Sequence, residues 1–217
     1  DIGAYELREV AIEDLLGRSP VMPDWKAIRG WLGGRSVLVT GGGGSIGAEL
    51  CRQCAKHGAR RVAVLEIDEL ALTTTIAEMQ RDFPDLDLVP VLGDCGDSAA
   101  IDYALRLAEP DAVFHAAAYK QVPLLEDQLR EAVRNNVLST VTVANACRER
   151  GVGTFVLIST DKAVDPVNVL GATKRLAEMA CQALQPASRT QFVIVRFGNV
   201  LGSNGSVVPL FREQIAR

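Results

Sequence analysis

The sequence predicts an α/β fold built on a doubly wound parallel sheet. Three observations carry that prediction. From Arg35 onward, short β-branched runs alternate with longer helix-like stretches; the runs are apolar without in–out alternation; and a glycine-rich turn stands where the first run meets the first helix. Strands apolar on both faces belong in a sheet covered by helices. Repeated strand–helix alternation implies right-handed βαβ units. A hydrophobic share of 48% against 23% charged supports a folded core and excludes wholesale disorder over the 217 residues.

Taken in order, Ser36-Val-Leu-Val-Thr40 reads as the first buried strand and Ser45–His57 as the helix behind the glycine turn. Arg61-Val-Ala-Val-Leu-Glu66 is the second strand and Glu69–Arg81 the second helix. Leu88–Leu92, Ala112–His115, Thr154–Ile158 and Gln191–Val195 supply the remaining strands, all rich in Val, Ile, Leu or Phe. Between them lie helical patterns at Ser98–Ala108, Arg130–Arg150 (one long helix) and Asn168–Leu184. Residues 1–34 differ. Leu7, Val10, Ile12, Leu15 and Leu16 form a short, imperfect amphipathic pattern before Gly17, Pro20 and Pro23, which reads as an arm or linker with one or two short helices. Trp25 and Trp31 are expected to anchor it by packing, and Asp82–Asp87 to be a solvated turn.

Charge and cysteine usage narrow the classes. Lys and Arg total 23 against 27 Asp and Glu, a net charge of −4, which lacks the broad basic field of a nucleic-acid binder. No uncharged apolar run reaches the ~18 residues of a membrane span. Cysteines 51, 54, 95, 147 and 181 are odd in number and scattered, which fits a reducing compartment rather than a disulfide framework. Cys51-x-x-Cys54 falls inside a helix with no second pair for zinc, so no metal site is expected. His57 and His115 lack the Ser or Cys partner of a hydrolytic triad.

The most specific local signal is Thr40-Gly-Gly-Gly-Gly-Ser-Ile-Gly47. Gly41 permits the tight turn, Gly44 lets backbone approach a pyrophosphate, and Gly47 lets helix pack close to strand, with Ser45 and Ile46 opening a helix whose free N–H groups face the ligand. In this place, after a strand and opening a helix, the pattern predicts a dinucleotide-binding site on a Rossmann-type sheet rather than a glycine-rich loop that binds nothing. Glu66 ends the second strand 19 residues beyond Gly47, where a carboxylate accepts from ribose hydroxyls and repels a 2′-phosphate. With Ile67 rather than Arg following, and Arg60 and Arg61 at the strand's far end, the expected cofactor is NAD rather than NADP. Asp94 is placed either to meet the adenine edge or simply to form a turn beside Gly93. Cys95 and Ala116, Ala117 and Ala118 are expected to line the same cofactor site.

His115-Ala-Ala-Ala-Tyr-Lys-Gln-Val-Pro123, Ser159-Thr-Asp-Lys-Ala-Val-Asp-Pro166, Asn168-Val-Leu-Gly-Ala-Thr-Lys174 and the run Arg196–Pro209 extend the pattern. Together with the glycine turn they resemble the extended short-chain dehydrogenase/reductases, and within them the capsule-type polysaccharide biosynthesis proteins that act as UDP-N-acetylglucosamine 4,6-dehydratases. The resemblance implies an NAD-dependent hydro-lyase that oxidises C4, eliminates the 6-hydroxyl and returns hydride to C6. By it Asp161 is the acid, Lys162 the base, Thr160 the partner of the 4-hydroxyl, and Lys174 the lysine on the nicotinamide ribose. Desolvation at the strand end is expected to keep Asp161 protonated and Lys162 neutral. Most of the superfamily has Tyr where this chain has Leu170, a departure that disfavours an ordinary dehydrogenase or a UDP-sugar 4-epimerase. Asn136, or its neighbour Asn135, matches the Asn that bends a helix near the active lysine. Lys120, Asn199 and Ser206 are expected on the substrate side. A non-catalytic NAD- or nucleotide-sugar-binding module is the rival from another class.

The resemblance also implies a domain boundary: an arm at 1–34 and an NAD-binding catalytic domain at 35–217, with a C-terminal substrate lobe to follow and weak or no turnover from these residues alone. It implies a cytoplasmic catalytic domain, with no membrane contact by this stretch, in a parent anchored to the inner membrane, and a homodimer through the long helix.

Overall fold

Six parallel strands form one sheet in the order β3-β2-β1-β4-β5-β6. They are β1 (Ser36–Thr40), β2 (Arg61–Glu66), β3 (Asp87–Leu92), β4 (Ala112–His115), β5 (Thr154–Thr160) and β6 (Gln191–Phe197). The computed structural model describes residues 21–200 and Gln214. These fall into two units. One runs from Lys26 to Gly198, and the other takes, among the described residues, 21–25, 199, 200 and 214. Of the second unit's described residues, Val21 and Met22 are exposed. The amphipathic run Leu7–Leu16 and Ser206 lie outside the described residues.

Each strand sits where its sequence dictates. β1 is buried along its whole length between β2 and β4. Its pleat sends Val37 and Val39 to one face and Leu38 to the other. The first face packs on α1 (Trp25–Leu32), α2 (Ser45–Lys56) and α3 (Glu69–Asp82) through Leu32, Cys51, Cys54, Leu72 and Met79. The second packs on α4 (Ser98–Ala108), α7 (Ser139–Glu149) and α8 (Val169–Leu184) through Ile101, Leu105, Val143, Cys147 and Cys181. Cys51 and Cys54 are thus apolar filler, and burial raises the Cys54 thiol to about 12. The edge strands β3 and β6 are only partly buried. Local caps set the starts of the helices: Asp68, Asp97 and Asn168 accept from Ala71, Ala99 and Gly171 N–H groups. Trp31 packs edge-on against Phe114 at 6.4 Å, so the end of the arm is tied to the sheet. No helix among the described residues is long and apolar enough to cross a membrane.

Two local expectations change. Asp87 is the first residue of β3, paired in register with Arg61 and ion-paired to it at 2.6 Å, rather than part of a solvated turn. The helix expected over Arg130–Arg150 is not uniform. A separate α5 (Val122–Asp127) precedes it, then α6 (Leu129–Val133), a π-helical turn over Arg134–Leu138, and α7. The wide turn loosens the carbonyls of Asn135 and Asn136, and the hydroxyls of Ser139 and Thr140 donate to them.

Candidate active site

The carboxyl edge of the sheet brings the predicted glycines together. Gly41 follows β1 at φ 68°, a left-handed conformation, and an added Cβ there would sit 2.6 Å from Ala117 backbone. A Cβ at Gly47 would sit 2.0 Å from the Gly41 carbonyl oxygen. Both positions are closed to a side chain by the protein itself. Gly44 is different: its Cβ would meet only the Gly41 oxygen, at 3.4 Å. Gly44 is exposed and stands as the N-cap of α2, without a side-chain cap of its own. Packing does not require glycine there.

Beside this turn runs an open groove of about 150 Å³, lined by Gly41, Gly44, Glu66, Gly93, Asp94, Cys95, Ala116, Ala117 and Ala118 as expected, and also by Leu65, Ile67, Tyr119 and Asn135. Glu66 is held by three backbone donors: Gly43 N–H at 2.9 Å, Ile67 N–H at 2.9 Å and Asp68 N–H at 3.2 Å. It therefore braces the glycine turn while facing the groove. Asp94 forms the turn, one oxygen accepting from Gly96 N–H at 2.7 Å while the other lies 3.5 Å from Arg134, and the residue also lines the groove.

The chemistry-bearing residues lie across the sheet. Thr160 ends β5, and Asp161–Ala163 form a short 3-10 turn that packs on α8. A Cβ at Gly171 would lie 2.3 Å from the Lys162 carbonyl oxygen, so Gly171 is what lets the turn sit this close. Lys162 Nζ approaches Asp161 at 3.3 Å, and Thr160 donates to the same oxygen at 3.0 Å. The desolvation expected for this pair is not there. Asp161 is exposed, and the hydrogen bonds from Thr160 and then Lys162 hold its carboxyl below the ordinary range. The physical reason is position: β5 is buried up to Ser159, and Asp161 lies just past the edge.

Lys174 is buried, and burial lowers its ammonium to about 8 against the opposing pull of Glu178 and Cys181. Leu170, one turn earlier, packs on Leu125 and Ala132. Between the Asn neighbours the geometry separates two tasks. Asn136 is fully buried, accepts from Tyr119 N–H at 2.8 Å, and donates to the Tyr119 carbonyl and Thr173 Oγ1 at 3.1 Å each. Asn135 lines the groove and accepts from Tyr119 N–H at 3.0 Å. Lys120 is exposed. Asn199 is exposed and belongs to the second unit.

Two groups escaped sequence reasoning. Glu178 is buried one turn beyond Lys174; its signal is a carboxylate on the apolar face shared with Leu170 and Lys174. His115 is fully buried between Thr40 Oγ1 at 2.6 Å and Thr140 Oγ1 at 3.0 Å. Because Thr140 spends its hydroxyl proton on the Asn136 carbonyl, it accepts from His115 Nε2–H, which leaves Nδ1 to accept from Thr40. Burial, then the Lys174 charge, lowers His115 to about 3, so the ring is a neutral strut between the glycine turn and the π turn.

A family model described as "Polysaccharide biosynthesis protein" matches residues 37–217. The chain is 48% identical over 217 residues to the capsular polysaccharide biosynthesis protein CapD of Staphylococcus aureus, covering 99% of this chain and 36% of that protein. It is 35% identical to a UDP-N-acetylglucosamine 4,6-dehydratase (inverting) of Campylobacter jejuni (85% and 54% covered), and 34% identical to a UDP-glucose 4-epimerase of Rickettsia bellii (83% and 53%). The chain thus spans about a third to a half of the length of these curated relatives. The solved structure of Pen from Bacillus thuringiensis superposes with a TM-score of 0.77 at 33% identity, covering 86% of this chain and 57% of that one. The same six-stranded parallel sheet that carries the glycine turn and the Thr160–Lys162 turn is matched from Val37 onward, and the chain belongs to the polysaccharide biosynthesis protein family.

Proposed function

We propose that this chain is the NAD-binding, chemistry-bearing part of a nucleotide-sugar 4,6-dehydratase acting on UDP-N-acetylglucosamine. The observation that carries the reading is the Asp161–Lys162 contact beside Thr160, with aliphatic Leu170 in place of a titratable side chain. An epimerase needs one group to move the 4-hydroxyl proton, whereas elimination across C5–C6 needs an acid and a base together. The residues fit NAD: Gly44, open at the α2 start, would let a pyrophosphate approach the backbone, and Glu66 offers a ribose hydroxyl a carboxylate that repels a 2′-phosphate. Bound NAD supplies a reversible hydride acceptor.

The chain's own residues do the rest. Thr160 Oγ1 orients the 4-hydroxyl. Buried Lys174, lowered to about 8, would hold the nicotinamide ribose beside Thr160. As found, Asp161 and Lys162 form an exposed ion pair. A sugar lying over them removes water from both charges, and burial penalises both. One proton passed from Lys162 Nζ to Asp161 across the 3.3 Å contact turns the ion pair into a neutral amine and a neutral carboxylic acid. Those are the base for C5–H and the acid for the departing 6-hydroxyl. Substrate burial thus performs what strand-end desolvation was expected to do.

Incubation of the full-length parent protein, substrate lobe included, with UDP-N-acetylglucosamine and NAD in deuterated water tests the reading by mass spectrometry. The expected product has lost water and carries deuterium at C5, and Lys162→Ala abolishes it. A 4-epimer without deuterium would instead identify an epimerase, and an untouched sugar with NAD bound would identify a binding module.

A further inference from the structure

Glu178 is a carboxylate with no exposed surface, placed on the inner face of α8. An ionised carboxylate is expensive to bury unless donors surround it. Ser159 Oγ donates to it at 2.6 Å from β5, Arg196 donates through Nε at 2.8 Å and an NH2 group at 2.6 Å from β6, and Arg175 donates at 3.2 Å from α8 itself. Burial pushes its carboxyl up, but the bonds from Arg196, Ser159 and Arg175 outweigh that and leave it below the ordinary range. It is therefore a fixed negative charge.

Its position is specific. Ser159 immediately precedes Thr160, Asp161 and Lys162. Arg196 sits two residues before Gly198, whose Cβ would lie 3.3 Å from Asp161 Oδ2. Lys174 is one helical turn from Glu178 on the same face. Two strand ends and the lysine helix thus meet at one side chain.

We propose that Glu178 is a positioning residue of this site: it clamps the ends of β5 and β6 to α8 and keeps the Lys174 ammonium charged. The proposal rests on the NAD-dependent reading for the meaning of Lys174, but its electrostatic content stands apart from it. The charged and titratable groups around Lys174 are few. β4 presents His115, which is neutral. α8 itself presents Glu178 and Cys181, and α7 presents Cys147 to Cys181. Arg175 and Arg196 lie on Glu178. The π turn brings uncharged Asn136, and α5 and α6 bring Leu125 and Ala132 to Leu170. Glu178 is thus the one carboxylate among these neighbours that favours the charged lysine.

The test is the pH titration of the Lys174 ¹³Cε resonance in the full chain labelled on lysine, assigned by its loss in Lys174→Arg. Wild type is expected to inflect near about 8. Glu178→Gln, nearly isosteric, is expected to lower the inflection by about one unit or more, since the supporting charge is gone while burial stays. If Glu178→Gln does not fold, Glu178→Asp, with its charge one methylene further away, is expected to give a smaller fall in the same direction. A structural role alone would loosen the packing, let water reach Lys174 and raise the inflection toward the ordinary lysine value. A rise, or no change, in the folded variant overturns the proposal. Repeating the titration with NAD separates the two readings. A wild-type Lys174 resonance and melting temperature indifferent to NAD would refute the cofactor reading, while the cofactor-free shift still decides on Glu178.

Discussion

Gly44 and Gly47 stand three residues apart in one motif, yet the structure assigns them opposite reasons for being glycine. Substituting each with Ala separates the two. In Gly47→Ala the new Cβ starts 2.0 Å from the Gly41 oxygen and 2.7 Å from its carbonyl carbon, so about 1.4 Å must be opened between α2 and the turn before contact is ordinary. The obstacle is backbone on both sides, which cannot rotate away. Overpacking of this kind costs about 1–3 kcal/mol, which for a domain of this size lowers Tm by roughly 2–12 °C. In Gly44→Ala the Cβ meets one atom at 3.4 Å, on a backbone with φ −74° and ψ 163° that alanine adopts freely. Ala is a poorer N-cap than Gly, but it also restricts the unfolded chain, and the two effects offset to within about 1 kcal/mol. In the proposed reading the methyl group instead enters the space where a pyrophosphate would approach the start of α2. The expected result is a near-wild-type melting curve with NAD affinity at least about tenfold weaker, or about 1.4 kcal/mol. Differential scanning fluorimetry with and without NAD reads stability, and calorimetric titration reads affinity. If folded Gly44→Ala bound NAD like wild type, the phosphate would not lie at this helix start. If Gly47→Ala melted like wild type, the steric reading of the turn would be wrong.

Two further perturbations address the other half of the edge and the acid limb. Gly171→Ala places a Cβ 2.3 Å from the Lys162 carbonyl oxygen, so it is expected to displace the Asp161–Ala163 turn and abolish turnover while leaving NAD affinity within about twofold of wild type; a loss of both in a folded variant would contradict it. His115 stays neutral in the fold down to about 3, below its ordinary 6.5, so the unfolded chain takes up a proton that the folded chain refuses. That stability is complete above about 6.5 and drains as pH falls toward about 3, amounting to about 2 kcal/mol between pH 7 and 5. Urea midpoints at those two pH values measure it, and His115→Gln is expected to flatten the difference; an unchanged pH slope in that variant would exclude His115 as its source.

What the sequence revealed was what local patterns determine. The strands are legible because both faces are apolar over four to seven residues, and the glycine turn because its spacing follows from turn, approach and packing at once. The π turn was not legible: it is held by Asn136 reaching Tyr119, 17 residues away, and by hydroxyls that would suit an ordinary helix equally well. Nor was the clamp of Glu126 on the Val169 N–H, 43 residues on, which ties α5 to the start of α8. A signal for α5 was present in Pro123, within its first turn, but its six residues are too few for periodicity to register. Asp161 misled for a different reason. Burial was extrapolated along β5, but burial ends with the sheet and the functional residues begin one step later.

That edge effect bears on how the two halves of the site are kept in register. The order β3-β2-β1-β4-β5-β6 reverses direction between β1 and β4, and the groove opens at this switch point. In the proposed reading the NAD groove is lined mainly from the ends of β1 to β4, with Asn135 from the π turn, whereas Thr160, Asp161 and Lys162 come from the end of β5 and Lys174, which would reach the ribose, from α8. Hydride transfer needs those halves aligned to a fraction of an ångström, yet the pairing of β4 with β5 ends at His115 and Leu157, before either half begins. The register must therefore be carried by side chains. Asn136 grips Tyr119 of the groove wall and Thr173, the residue before Lys174, in one buried amide, while His115 links Thr40 to the same turn through Thr140. Every polar atom named in that chain is hydrogen-bonded, and a satisfied buried network is stiff. The π turn is thus the splice across the switch point, and its one extra residue is what gives Asn136 an inward aim while its neighbour Asn135 lines the groove.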